Sequence, residues 1–179
     1  RVFQDPTKGT SANMSIEDNM MLASRKGMRG VTYSLNSKSR ALYSSLLAPI
    51  HLDKRLKDNV GLLSGGQRQA LTLLMTTLSR PHLMLLDEHT AALDPGNAQI
   101  VMDLTKQYIE KDNLTAMMIT HNMQFAIDYG NRLIMMDAGH IILDIKGDEK
   151  KNLTVPELVE RFKAISKSEY TSDEGLLTK

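Results

Sequence analysis

Cysteine is absent from all 179 residues. That excludes disulfides and thiolate metal sites and fits a reducing compartment. The five histidines (His51, His82, His89, His121 and His140) never form a His-x-x-x-His pair, which argues against a metal site built from imidazoles alone. Apolar runs are short. Leu83 to Leu86 is strand-sized, far below the roughly 20 residues a membrane-spanning helix needs. No charge of either sign dominates, with 22 Lys+Arg against 21 Asp+Glu and a net charge of +1, so composition gives no reason to expect a nucleic-acid partner. No Gly-Lys dipeptide occurs anywhere, and no signal-peptide pattern is visible. The chain opens at Arg1 in what reads as the middle of a domain, and the expectation is a fragment.

What is present is ordinary for a globular protein: 41% hydrophobic and 24% charged residues, enough for one domain with a sizeable core. Val2-Phe3-Gln4-Asp5-Pro6 reads as a strand end running into a turn. Ser15, with Asp18 three residues on, starts a helix through Ala23. Residues 24 to 39, rich in Ser, Gly, Lys and Arg, read as a loop. Further helices are expected from Arg40 to Leu47, stopped by Pro49, and from Leu52 to Asp58.

From Gly66 the pattern changes. Gln67 to Leu78 predicts a strong helix with Ala70, Leu71, Leu74, Met75 and Leu78 on one face. Leu83 to Leu86 predicts a strand, Ala98 to Glu110 a helix, Thr115 to Thr120 a buried strand, and Asn122 to Tyr129 a helix stopping at Gly130. Leu133 to Met136 and Ile141 to Ile145 are strands about a turn at Ala138-Gly139. A last helix opens at Thr154-Val155-Pro156-Glu157 and ends near Ser166, before a polar tail. Alternating strands and helices from residue 67 predict an α/β fold with a parallel sheet covered by helices, and a separate helical lobe before it.

Three places carry chemistry. Leu63-Ser64-Gly65-Gly66-Gln67 precedes the best helix: two glycines permit close approach, the free amides and helix dipole favour an anion, and Ser64 adds a hydroxyl. Alone, this reads equally well as a glycine turn capping a helix. Asp87-Glu88 stands at the C-terminal end of a strand, where open α/β sheets bind ligands. One carboxylate can hold Mg²⁺ while the other orients a water for attack on phosphorus. Alone, an Asp-Glu pair is more often solvated surface. His121 follows the next strand and Gln4 an apolar pair; each can reach a phosphate, a water or Mg²⁺. Alone, each is a weak signal.

Order and spacing join them. Leu63 to Gln67 resembles the signature motif of ATP-binding cassette proteins, and His82 to Glu88 their Walker B strand with its catalytic glutamate. Ala92-Leu93-Asp94 resembles the D-loop, His121 the switch histidine and Gln4 the Q-loop, all in the family's order. The resemblance implies a P-loop NTPase (RecA-like) core with a helical signature-motif lobe. In domain terms, 1–9 ends the Q-loop part of the core, 10–66 is the helical lobe, 67–166 the α/β core and 167–179 the tail. It implies ATP and Mg²⁺ as cofactors and a head-to-tail dimer with a second ATPase subunit. Ser64, Gly65 and Gly66 would then bind the γ-phosphate of the partner's ATP, and Gln67 would help begin the helix. Asp87 would hold Mg²⁺, Glu88 would be the general base, and His121 would contact the γ-phosphate. Gln4 would sense Mg²⁺ and the attacking water, and Asp94 would act across the dimer.

Departures are as informative. The family's Walker A loop, Gly-x-x-x-x-Gly-Lys-[Ser/Thr], is missing, so this chain alone is expected to bind ATP poorly and hydrolyse almost none. His89 and Ala91 stand where many relatives carry Pro and Ser, and a catalytic role for His89 is not expected. Val60 to Met75, Asp87 to Pro95 and Asn131 to Met136 resemble a bacterial branch assigned to amino-acid uptake. The implied partners are a membrane permease and a solute-binding protein, at the cytoplasmic face of the plasma membrane. A soluble cassette ATPase, or a non-catalytic remnant lacking Walker A, are the alternative readings.

Overall fold

The structure is a computed structural model. It describes the backbone of residues 1–24, 35–79 and 81–176, and side chains among them up to residue 165. Most of the loop expected at 24 to 39 lies outside the described residues. The described chain divides into two units, Arg1–Ile119 and Thr120–Lys179.

In the first unit, helix α1 (Ile16–Ser24) starts as its sequence predicts. The Ser15 hydroxyl accepts from the Asp18 amide (3.1 Å) and donates to the Asp18 carboxylate (2.6 Å). Helix α2 (Ser37–Leu47) begins earlier than Arg40, because Asn36 and Ser39 close a reciprocal cap. No helix forms over Leu52 to Asp58. Successive turns replace it, closed by Arg55 N to Leu52 O and Asp58 N to Arg55 O. The physical reason is that the Leu56 and Asp58 carbonyls accept the Glu17 and Ile16 amides of α1, satisfying the first turn of another helix instead of closing one of their own.

Helix α3 (Gly65–Leu78) is the centre of this unit. Ala70, Leu71 and Leu74 are buried as expected, whereas Met75 and Leu78 are only partly buried against the core. Leu73 is buried as well, because α1, helix α4 (Pro95–Lys111) and the 3-10 turn Pro6–Gly9 pack around α3, more than a single apolar stripe anticipates.

Strand β1 (Leu83–Asp87) pairs in parallel with β2 (Thr115–Ile119), Leu83 opposite Thr115 and Asp87 opposite Ile119. Val2 bridges the other edge of β1 through Val2 N to Leu85 O (2.8 Å) and Asp87 N to Val2 O (3.0 Å). β1 is therefore central, with Met84 and Leu86 buried. β2 is not the buried strand expected: Met117 is 55% and Ile119 53% exposed. Among the described residues β2 has a strand on one side only, and a parallel strand is fully buried only where both faces are covered.

The second unit holds α5 (Met123–Asp128), β3 (Arg132–Asp137), β4 (His140–Lys146), α6 (Asp148–Lys151) and α7 (Val155–Leu176). In addition to the parallel pair of the first unit's strands, β3 and β4 form an antiparallel hairpin about the turn expected at Ala138-Gly139. Two residues join them, and no parallel crossover is that short. Ala138 (φ 44°) and Gly139 (φ 84°) supply the left-handed pair such a turn requires. Leu133, Ile145, Leu153 and Leu158 form this unit's own core. The last helix runs to Leu176, through the stretch expected as a polar tail, since no proline or glycine interrupts residues 157–174.

Candidate functional site

The turn before α3 is built from its own sequence. Ser64 is the N-cap: its hydroxyl accepts from the Gln67 amide, and the Gln67 side chain accepts from the Ser64 amide, both at 3.2 Å. In this reciprocal cap the Ser64 hydroxyl oxygen accepts and the Ser64 amide donates, which leaves the hydroxyl proton to donate. Ser64 and Gly65 are exposed at the helix start, whereas Gly66 is buried. Sequence reasoning missed Arg68, whose guanidinium donates to the Gly61 (3.2 Å) and Leu63 (3.3 Å) carbonyls and so holds the chain entering the turn. The result is a rigid helix N-terminus with a hydroxyl beside it, an arrangement suited to an anion.

The second cluster gathers at the end of β1. Glu88 follows the strand with φ 44°, a left-handed conformation unusual for a residue with a side chain. Two backbone bonds of 2.9 Å hold it, Glu88 N to Ile119 O and Ala91 N to Glu88 O. The Gln4 side-chain amide donates to the Glu88 carboxylate at 3.2 Å, joining residues 84 positions apart. Gln4 is placed by Gln69, 1% exposed on α3, whose amide donates to the Phe3 carbonyl at 3.1 Å. No sequence signal distinguished Gln69 from other polar residues of that helix. Asp87 forms an ion pair with Arg1, whose guanidinium also lies over the Phe3 ring.

Carboxylates of Asp87 and Glu88 and the amide oxygen of Gln4 are hard oxygen donors of the kind Mg²⁺ takes. Asp87 already draws a cationic group, so the donor set fits a divalent cation. Among the described residues no group of three or more His, Cys, Asp or Glu is arranged as a complete metal cage.

Asp94 caps α4, accepting from the Asn97 backbone amide (3.1 Å) and the Asn97 side chain (2.6 Å). These bonds, the backbone one foremost, hold its carboxyl below the ordinary 3.8. His89, beside Glu88, is 2% exposed, with Nε2 3.2 Å from the Thr105 hydroxyl on α4. Thr105 gives its proton to the Val101 carbonyl (2.7 Å), which assigns the donating Nε2–H to His89. Burial pushes this imidazole down to about 4, so it is a neutral structural group near neutral pH. His121 belongs to the second unit, exposed and directly before Asn122, the N-cap of α5.

A family model described as ABC transporter matches residues 1–91, half of the chain. The chain belongs to the ABC transporter family. This ABC protein is 47% identical over 165 residues to a tyrosine transport ATP-binding protein of Clostridioides difficile, covering 90% of this chain and 65% of that relative. It is 31% identical over 137 residues to the glutamine transport ATP-binding protein GlnQ of Geobacillus stearothermophilus, covering 76% of this chain and 54% of the relative. The chain thus spans less than two thirds of either relative's length. Among solved structures, an ATP-binding cassette of an ABC transporter in its ADP conformation superposes with a TM-score of 0.68 at 23% identity, covering 90% of this chain and 66% of that one. A component of the ABC transporter complex cbiONQ of Clostridium perfringens gives 0.69 at 22%, covering 89% and 61%. The fold is therefore that of ABC ATPase domains, of the P-loop NTPase class.

Proposed function

We propose that this chain is the greater part of the ATP-binding and ATP-hydrolysing subunit of a bacterial ABC importer for amino acids. The observation that carries the reading is the Gln4–Glu88 hydrogen bond at the end of β1, beside Asp87. It puts an amide that can sense a bound cation or water against the carboxylate best placed to orient that water. Asp87, with Gln4, would hold Mg²⁺, which supplies charge neutralisation at the transferring phosphoryl group. Glu88 is the general base, and His121 contacts the terminal phosphate. Ser64, Gly65 and Gly66, with Gln67 fixing the cap, receive the γ-phosphate of ATP held by a second ATPase subunit in a head-to-tail dimer, and Asp94 acts across that interface.

In this reading residues 10–66 are the lobe that docks a membrane permease, 67–166 the α/β core and 167–179 a tail. A solute-binding protein delivers the amino acid, and the subunit sits peripherally at the cytoplasmic face of the plasma membrane. Nucleic acid is not a partner. The names of the tyrosine and glutamine transport relatives support the amino-acid assignment. Because no Gly-Lys occurs in these 179 residues, the chain by itself is expected to hydrolyse almost no ATP.

The test is Glu88→Gln in the full-length ATPase. Retained ATP binding with turnover reduced by about a hundredfold or more, the range that general-base catalysis contributes, supports the assignment. Unchanged turnover refutes it, and a wild-type full-length protein without ATPase activity would point to a non-catalytic remnant.

A further inference from the structure

The turn at Ser64–Gly66 and the carboxylate of Asp94 meet at one side chain, Asn97. Gly66 is buried, and a Cβ on it would stand 2.8 Å from Asn97 Cγ, 2.9 Å from its Cβ and 3.0 Å from its Oδ1. Only a glycine permits that approach, because nothing on the Asn97 side can be this close to a methyl group without shifting. A Cβ on Gly65 would meet Leu93 Cδ2 at an ordinary 3.8 Å, so Gly66 alone makes the tight contact. From its far end the same Asn97 amide donates to Asp94 Oδ2 at 2.6 Å.

We propose that Asn97 is a positioning residue that couples the Ser64–Gly66 turn to Asp94, so that a displacement of one displaces the other. Asn97 sits on the first turn of α4 with its Cβ fixed by the helix, and its side chain has only two torsions. If the start of α3 moves toward α4, the amide has to swing away, and the 2.6 Å bond to Asp94 breaks. The backbone bond from Asn97 N to Asp94 Oδ1 survives, so α4 stays capped while one carboxylate oxygen is released. An anion drawing on the Gly65 and Gly66 amides thereby changes the hydrogen bonding of a carboxylate on another helix. The contact is a direct two-position element, the physical kind of coupling. Its functional meaning rests on the proposed reading of Ser64–Gly66 and Asp94; the coupling itself does not.

The experiment is a carboxyl-carbon NMR titration of Asp94 in the full-length protein, without nucleotide. With Gly66→Ala the Asp94 midpoint is expected to rise toward the ordinary carboxylate value, although the substitution lies on a different helix. In an Asn97→Ser background, Gly66→Ala should leave Asp94 where Asn97→Ser alone puts it. A folded Gly66→Ala protein with an unmoved Asp94 midpoint overturns the proposal, as does a shift that persists in the Asn97→Ser background. Should Gly66→Ala fail to fold, Asp94→Ser keeps a helix cap and supplies the reverse test. The Gly65 and Gly66 amide resonances are expected to move, and unmoved resonances overturn the coupling. Failure of the full-length protein to bind ATP would overturn the reading of the site instead, leaving the coupling intact.

Discussion

Acidification from about pH 8 to about pH 5 is expected to remove about 2 kcal/mol of stability through one buried imidazole. His89 titrates at 6.5 when unfolded and at about 4 in the fold, because burial disfavours the imidazolium. Its folded pKa is depressed, so its contribution is complete above pH 6.5 and is lost as pH falls toward 4. Between those values the unfolded chain binds a proton that the folded chain refuses, at about 1.4 kcal/mol per pH unit. At about pH 5 the loss amounts to about 2 kcal/mol, and below both values to about 3 kcal/mol. The comparison is urea unfolding of the native chain and of His89→Gln at both pH values. Glutamine keeps an N–H for the Thr105 hydroxyl and does not titrate. The native chain should lose about 2 kcal/mol more than the variant across this interval. Equal losses, or a His89 NMR titration centred near 6.5, would refute the argument from burial.

Other perturbations read other parts of the molecule. Ser64→Ala removes the cap of α3 and should cost about 1 kcal/mol in denaturant unfolding; no measurable loss would mean that Gln67 and Arg68 hold the turn without it. In the second unit, buried Lys150 donates to the Ile127 carbonyl and, at 3.0 Å, to that of Tyr129, closing the C-terminal end of α5. Lys150→Met leaves these acceptors unpaired at a cost of about 1–3 kcal/mol, seen as faster amide exchange in α5, and unchanged exchange would rule out the capping role.

Much of the site was legible because its local parts lie within a few residues of each other. Ser15 with Asp18 and Ser64 before α3 are helix starts written in adjacent residue types, and both form, whereas the caps at Asp94 and Asn122 emerged only from the structure. Strand ends at Asp87-Glu88 were legible from one apolar run and two acids. Residue type and order carried the family resemblance, and the matching family model covers Gln4, Leu63 to Gln67 and His82 to Glu88 but ends before Asp94 and His121. His89 was noticed only as a departure from a pattern. Its burial against Thr105 requires α4 to fold back over the end of β1, which no local period encodes.

The sequence by itself determined the starts of α1 and α3, the strand that ends at Asp87, and the two-residue turn of the hairpin. These depend on hydrogen bonds and steric limits spanning at most a few residues. Tertiary structure alone decided that Leu52 to Asp58 spends its carbonyls on α1 instead of on a helix, and that β2 is exposed on most of its length. It also decided that Gln4 meets Glu88 and that Gly66 meets Asn97. Those outcomes depend on which distant segments arrive to satisfy a carbonyl, cover a face or fill the space beside a glycine, and such competition is settled only when the whole unit packs.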